Sequence, residues 1–498
     1  MTIPAFLVVL TALLLIAVSL REKLRRYSGL PPGPRGHWLL GNTIPTVFSY
    51  RKFEEWTQEF GSVFSLRQGT KVIVVIGRVD AALDILEKHS AHLSDRPSSI
   101  SAGETLSGGM RILFVPNGPR FRKMRRALHA YLQPQTIASY HPALQREARQ
   151  LIRDIIDDPA HHMEHAKRYA ASVVLTTTYG QSAASYLDPL IVAINRCLRI
   201  FALTLLPGVW KVEIFPFLRK VIHIPGYLRP LRQAHKEELH LFRSQLDVVR
   251  QKMERHEAIP DSFGKYLIAQ QPALHMSNDE IAYLAGSMFG AGSDTTASAI
   301  SVAVMAAACF PGAQARVQVE LDAIIGRERA PRLRDKDMLP QTTAFMLETF
   351  RWRPVAPAGV PHRATKTIIW RNYYIPEGAT VIGSSWSIGR DPEVFPSPED
   401  FDPQRFITAD GKLRDDLKIF TFGFGRRICP GKTLAIGSVF LNIALLHWTF
   451  KIREDPSSLI NSQAFTVTFN VRPEPFAPIF EPRIGADFAA VRAMLEQD

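Results

Sequence analysis

Cys429 stands in the run Phe422-Gly423-Phe424-Gly425-Arg426-Arg427-Ile428-Cys429-Pro430-Gly431, directly before an apolar stretch from Lys432 to His447 that reads as a helix. A cysteine that ligates iron must sit on a rigid loop as a thiolate, with backbone amides turned toward the sulfur. Gly425 and Gly431 permit such a close approach, Arg427 supplies a positive charge for an anionic cofactor, and Phe422 gives an apolar wall. Cys197 and Cys309 read as inert buried thiols. Three cysteines so far apart exclude a disulfide framework and a zinc cluster.

A second cluster, Gly290, Gly292, Ser293, Asp294, Thr295 and Thr296, breaks a local rule. These are poor helix formers, yet they fall at the centre of a helix. Ser277-Asn278-Asp279-Glu280 is a capping box that opens it, and Pro311-Gly312 stops it after Cys309. Such a helix spans roughly 45 Å and is apolar nearly all round, so it is expected to cross the middle of the molecule. Local rules broken at a core position point to function. Glu348 and Arg351 stand at i and i+3 on a helix between Pro340 and Pro354 and share one face.

The elements that must position these residues are many and mostly helical. Residues 54 to 95 read as helix, two short strands (Val63 to Arg67, Val72 to Ile76) and helix, whereas 117 to 270 carry helical periodicity. Leu203 to Leu228 is apolar but broken by prolines and charges; it is either a buried helix pair or a loop that dips into a membrane interface. The chain has 498 residues, 46% hydrophobic and 21% charged, which excludes a disordered or fibrous protein. Its net charge of +13 suits an anionic membrane surface or an acidic partner. No zinc-finger spacing or lysine tract speaks for nucleic acid.

Ile3 to Leu20 carries no charge, and about 18 residues at 1.5 Å each cover roughly 27 Å, close to a bilayer's hydrocarbon core. Arg21, Lys23, Arg25 and Arg26 follow, so the positive-inside rule leaves the body cytoplasmic. The expected organisation is an anchor at 1–21, a basic and proline-rich hinge at 22–36 acting as a stiff spacer, and one catalytic domain at 37–498.

Taken together, the anchor and proline hinge, Ala291 to Thr296, Glu348-Thr349-Phe350-Arg351, Phe401-Asp402-Pro403-Gln404-Arg405-Phe406 and the cysteine loop resemble, in order and spacing, a membrane-anchored eukaryotic cytochrome P450. The resemblance implies a mainly α fold with a small β lobe, and a haem b whose iron takes Cys429 as its axial thiolate. By the same likeness Glu348, Arg351 and Arg405 form a buried structural triad that locks the loop before the cysteine. Asp294 and Thr295 are implied as the proton-delivering pair for oxygen activation, with Gly292 leaving room for the gas. Arg125 and His362 fall at the propionate contacts; the tryptophan usual four residues before Arg125 is Phe121 here, which removes an indole N–H.

Electrons are implied to come from NADPH through NADPH-cytochrome P450 reductase, with cytochrome b5 as a second candidate donor. Substrate-facing segments are implied at 98–116, 203–216, 288–291, 356–360 and near Phe476. These are mostly apolar or small, so a hydrophobic small molecule is expected. Asp391 to Phe395 and the Arg-Arg-Ile-Cys-Pro-Gly ending look fungal, which suggests terpenoid or polyketide tailoring in secondary metabolism at the endoplasmic reticulum. Two rivals are a haem-thiolate isomerase or dehydratase that needs no oxygen, and a non-catalytic haem- or lipid-binding membrane protein.

Overall fold

The computed structural model describes residues 29–38, 40–218, 226–485 and 487–496. The expected anchor, 1–21, and the first part of the hinge, 22–28, lie outside them. The proline run is described, and it is fastened to the body. Ser65 donates from N to Pro32 O (2.8 Å) and from Oγ to Pro31 O (2.6 Å). A Cβ on Gly33 would come within 1.9 Å of Ser65 O, so this approach needs glycine. The run therefore does not stand clear of the body as a spacer.

Ser65 lies on β1 (Val63–Gln68), which forms an antiparallel hairpin with β2 (Lys71–Ile76). Valine and isoleucine fill β2 because branched side chains fit a half-buried pleat. Four short strands come much later: β3 (His362–Arg363), β4 (Ile368–Trp370), β5 (Tyr373–Ile375) and β6 (Thr380–Gly383). The main sheet runs β1-β2-β6-β3, with β6 parallel to β2 and antiparallel to β3. Two further pairs are β4 with β5, and β7 (Phe450–Arg453) with β8 (Ile479–Pro482).

The remainder is mostly helical, built around one central helix, Asn278–Cys309. Its expected capping box is present: Glu280 N donates to Ser277 Oγ (3.2 Å) and Ser277 N to Glu280 Oε2 (3.0 Å). Helices His162–Tyr179, Arg229–Glu254 and Lys432–Thr449 pack along it. Tyr283 and Phe289 are fully buried in that packing, and large apolar side chains contribute about 1.5–3 kcal/mol each when buried.

The glycines of the central helix serve this packing. A Cβ on Gly286 would lie 2.1 Å from Phe242 Cγ, and one on Gly292 would lie 2.4 Å from Val174 Cγ2. Val174 fills the place of the side chain that Gly292 lacks.

Helix Pro311–Ile324 follows at 103° to the central one, and no single helix among the described residues is long and apolar enough to cross a membrane. The buried helix pair considered for Leu203 to Leu228 is not formed in its described part. There the chain turns after Thr204, makes one short helix, Lys211–Ile214, and leaves Leu203, Val209 and Phe217 exposed.

Candidate active site

The cysteine loop is closed by Cys429 N donating to Phe422 O at 2.8 Å. Gly423 and Gly425 have φ of +77° and +48°, and a Cβ on Gly425 would sit 2.2 Å from that of Ser90. Glycine is thus required by both conformation and space. Phe422 meets Phe350 edge-on at 5.3 Å, joining the loop to helix Pro340–Trp352. Cys429 lies deep in the molecule but keeps part of its surface open. Burial pushes its thiol pKa up, while the Gly431 N–H, Arg125 and Lys432 pull it back. The amide turned toward the sulfur is the feature expected of a ligating thiolate.

Helix Pro340–Trp352 carries Glu348 and Arg351, and Arg405 approaches them from the turn Pro403–Phe406. Arg351 grips Glu348 with two bonds, Nε to Oε2 at 2.6 Å and Nη2 to Oε1 at 2.7 Å. Its remaining donors reach the carbonyls of Gly389, Pro398 and Asp400. Glu348 Oε1 also accepts Asp402 N at 2.8 Å and stands 3.4 Å from Arg405 Nε. Arg405 in turn donates to Pro396 O and Ser397 O.

Cations gather beside the cysteine loop. Arg427 donates to Ser94 O (2.6 Å) and Val115 O (2.7 Å), and its guanidinium lies 3.4 Å over the ring of Phe121. The phenylalanine standing in the tryptophan position thus supports a cation with its π face. Arg125 donates to Ile428 O at 2.5 Å. Buried His362, on β3, donates from Nδ1 to Leu93 O at 2.6 Å.

A fourth member was not foreseen. Arg96 is buried and donates to Leu113 O, Val360 O and Pro361 O. All three arginines are satisfied by backbone carbonyls rather than carboxylates. Burial and Arg427 pull Arg96 down to about 9, Arg427 falls to about 10 through burial, and burial with Arg96 holds His362 near 3. The Asp95 carboxylate nearby offsets only part of this for Arg96 and Arg427, so burial and mutual crowding prevail.

On the central helix the unbroken burial stops at Ala291, Gly292, Asp294 and Thr295 and resumes at Thr296. Thr295 Oγ1 donates to Ala291 O at 2.8 Å. This is the back-bonding usual for threonine in helices, and it leaves the lone pairs of the hydroxyl to accept. Asp294 turns toward a hairpin near the C-terminus, where Asn470 Nδ2 donates to Oδ2 (3.3 Å) and Arg472 Nη1 to Oδ1 (3.5 Å). Phe476 packs against His162, with centroids 4.8 Å apart.

The family model for cytochrome P450 matches residues 31–480. The chain belongs to the cytochrome P450 family. It is 49% identical to cytochrome P450 monooxygenase 64 of Postia placenta and 50% identical to monooxygenase 113 of the same fungus, in each case over 96% of both chains. A cytochrome P450 monooxygenase of Armillaria gallica is 31% identical over 98% of this chain and 96% of the relative. The chain is accordingly a cytochrome P450 monooxygenase that uses haem-thiolate iron and electrons from a redox partner.

The residues of this P450 fit that cofactor. Haem carries two carboxylates, and the crowded Arg96, Arg125 and Arg427 offer positive charge whose hydrogen bonds go to backbone carbonyls, with a neutral His362 beside them. Cys429 offers the sulfur. The substrate-side segments hold more charge than expected, but it is neutralised locally. Arg111 pairs with buried Glu238, which also accepts the Tyr283 hydroxyl, and Glu213 accepts Ser101 N and Oγ at 2.6 Å each. These bonds clamp the helix Ile100–Leu106 at both ends and leave Ala102, Leu106 and Phe201 in an apolar cluster.

Proposed function

We propose that this monooxygenase hydroxylates or otherwise oxidises a hydrophobic small molecule, of terpenoid or polyketide type, in fungal secondary metabolism. NADPH supplies the electrons through NADPH-cytochrome P450 reductase, cytochrome b5 serves as a second donor, and the cofactor is haem b. The observation that carries the reading is the open thiol of Cys429 beside guanidiniums that only carbonyls satisfy.

Cys429 holds the iron, and Arg96, Arg125, His362 and Arg427 hold the propionates. When bound, the haem supplies the centre at which dioxygen is activated. Thr295 accepts a hydrogen bond on the open side of the central helix, and the Asp294 carboxylate takes protons from water and passes them inward. The apolar cluster under the clamped helix excludes water and positions substrate by shape.

Residues 1–21 anchor the protein in the endoplasmic reticulum membrane, with the catalytic domain in the cytosol. Supporting this is an exposed apolar patch of Trp38, Leu40, Val47, Val209 and Phe217. Thr46 Oγ1 donating to Pro207 O and Lys71 Nζ donating to Glu213 O bring its two halves together. Patches of this kind mark membrane or protein contact.

Spectral titration of the purified ferric protein with terpenoids, polyketides, sterols and fatty acids tests the substrate class. A low-spin to high-spin Soret shift confined to terpenoids or polyketides is expected. A shift with sterols or fatty acids alone overturns that assignment, and product formation without NADPH overturns the monooxygenase route in favour of an isomerase.

A further inference from the structure

Among the substrate-side residues, Arg111 is only 5% exposed and is held on several sides. Nε donates to Ser107 Oγ at 3.2 Å, Nη2 donates to Glu238, and the guanidinium lies 4.2 Å over the ring of Phe201 and 5.6 Å from that of Tyr283. Its holders are themselves held: Ser107 Oγ donates to Ala102 O at 2.7 Å, and Glu238 accepts the Tyr283 hydroxyl. Nη1, by contrast, donates to nothing among the described residues. A buried guanidinium with an idle nitrogen leaves a strong donor unused, a cost that buried polar groups rarely carry without a partner. Its neighbours are those that shape the substrate side. Arg111 stands one residue before Ile112, whose carbonyl Arg427 reaches at 3.5 Å, so its backbone adjoins the cations of the haem site. Phe201 belongs with Ala102 and Leu106 to the apolar cluster, and Phe114 adds a ring 6.0 Å from Phe201. The idle nitrogen is thus a polar point among apolar side chains.

We propose that Arg111 is a specificity-determining residue: Nη1 donates to an uncharged oxygen, carbonyl or hydroxyl, at one end of a substrate whose remainder is hydrocarbon. The inference deepens the reading under Proposed function and rests on it. Charge decides the kind of oxygen. Glu238 already neutralises Arg111, and Arg111 is the only cation paired with Glu238 among the described residues, so a substrate carboxylate would bring a second buried negative charge against it. An uncharged acceptor completes the guanidinium without that penalty. Because every other contact of Arg111 is in place before substrate arrives, the donor is preorganised, and its bond favours an oxygenated compound over the matching hydrocarbon. The reaction that supplies the substrate must therefore leave an oxygen on the skeleton, and a bare hydrocarbon is a poor ligand.

The test titrates the full-length ferric holoenzyme at neutral pH with compounds that share a skeleton: valencene against its ketone nootkatone, anthracene against anthraquinone, and farnesol against farnesoic acid. Dissociation constants come from the Soret shift. The parent protein is expected to bind each ketone or quinone at least about tenfold more tightly than its hydrocarbon, and farnesol more tightly than the acid. Arg111→Met with Glu238→Gln removes the donor and the charge together and leaves Tyr283 an acceptor. This double variant is expected to bring the ratio within each pair to about one, with hydrocarbon binding within about twofold of the parent. The ratio separates recognition from a structural role, since a lost structural pair would weaken both members alike. Should the double variant load no haem, Arg111→Lys serves: its single ammonium stays with Glu238, no second nitrogen remains, and the same fall in ratio is expected. A ratio unchanged in these variants, or a parent that binds both members equally, leaves Nη1 to an ordinary water and overturns the inference while the hydrophobic-substrate reading stands. Tightest binding by the acid overturns the assignment to an uncharged oxygen. If only sterols or fatty-chain compounds shift the Soret band, the terpenoid or polyketide class falls, and cholesterol against cholestane or hexadecanol against hexadecane decides the inference separately. If no member of any pair binds, both fall.

Discussion

Two arginine–carboxylate contacts flank the candidate site, and they are built in opposite ways. Arg351 and Glu348 are 1% and 0% exposed, joined by two short bonds, and every other donor of the guanidinium reaches a carbonyl. Arg472 meets Asp294 once, at 3.5 Å, with the arginine 40% and the aspartate 18% exposed. A buried pair with all its groups satisfied is costly to break, whereas an exposed single contact is worth little to stability. The first contact keeps a shape and the second permits a change. Position in the fold and satisfaction of the partners separate a residue that holds the cysteine loop from one that acts on the chemistry.

Breaking the rigid member should give the largest effect. Arg351→Ala leaves Glu348 charged and buried, a loss of about 3–5 kcal/mol, and should abolish haem incorporation; absorbance of the purified variant at the Soret band checks it. A smaller, pH-dependent effect is expected in the same half of the molecule. His447 is buried against Phe345, with Nδ1 donating to Ile443 O, and burial holds it down at about 4. The unfolded chain binds that proton near pH 6.5, so the stability present above 6.5 is lost as pH falls toward 4, by at most about 3 kcal/mol. His447→Phe should flatten the fall in Tm between pH 6.5 and 4. On the movable side effects should appear in partitioning rather than folding. Thr295→Ala should leave Tm within a degree or two yet raise peroxide release per product by about fivefold, roughly 1 kcal/mol in partition. Unchanged coupling would remove Thr295 from proton delivery.

What could be read in the sequence was whatever is contiguous. The cysteine loop, the capping box at Ser277 and the Glu348–Arg351 pair each lie within ten residues, so local spacing fixes their geometry. Arg405 and His362 were named by likeness to the family; the chain sets Arg405 3.4 Å from Glu348 and ties His362 to Leu93 O. Arg96 could not be read, because its partners Leu113, Val360 and Pro361 come from separate segments and nothing beside it in sequence tells it from a surface arginine. Asn470 and Arg472 escaped for the same reason. A glycine in a helix announces a close approach without saying to what; at Gly292 it is Val174.

The parallel pairing of β2 with β6 also sets a timetable for the newborn chain. Ile73 finds its partner Thr380 only about three hundred residues later. At about 5–20 residues per second the ribosome needs roughly 15–60 s to supply it. Throughout that interval Lys-Val-Ile-Val-Val-Ile at 71–76 has β1 on one edge and nothing from β6 on the other. An edge of five consecutive valines and isoleucines, with only Lys71 to guard it, is the kind that recruits other strands, so shielding of this one six-residue strand while translation runs on is expected to bear on yield.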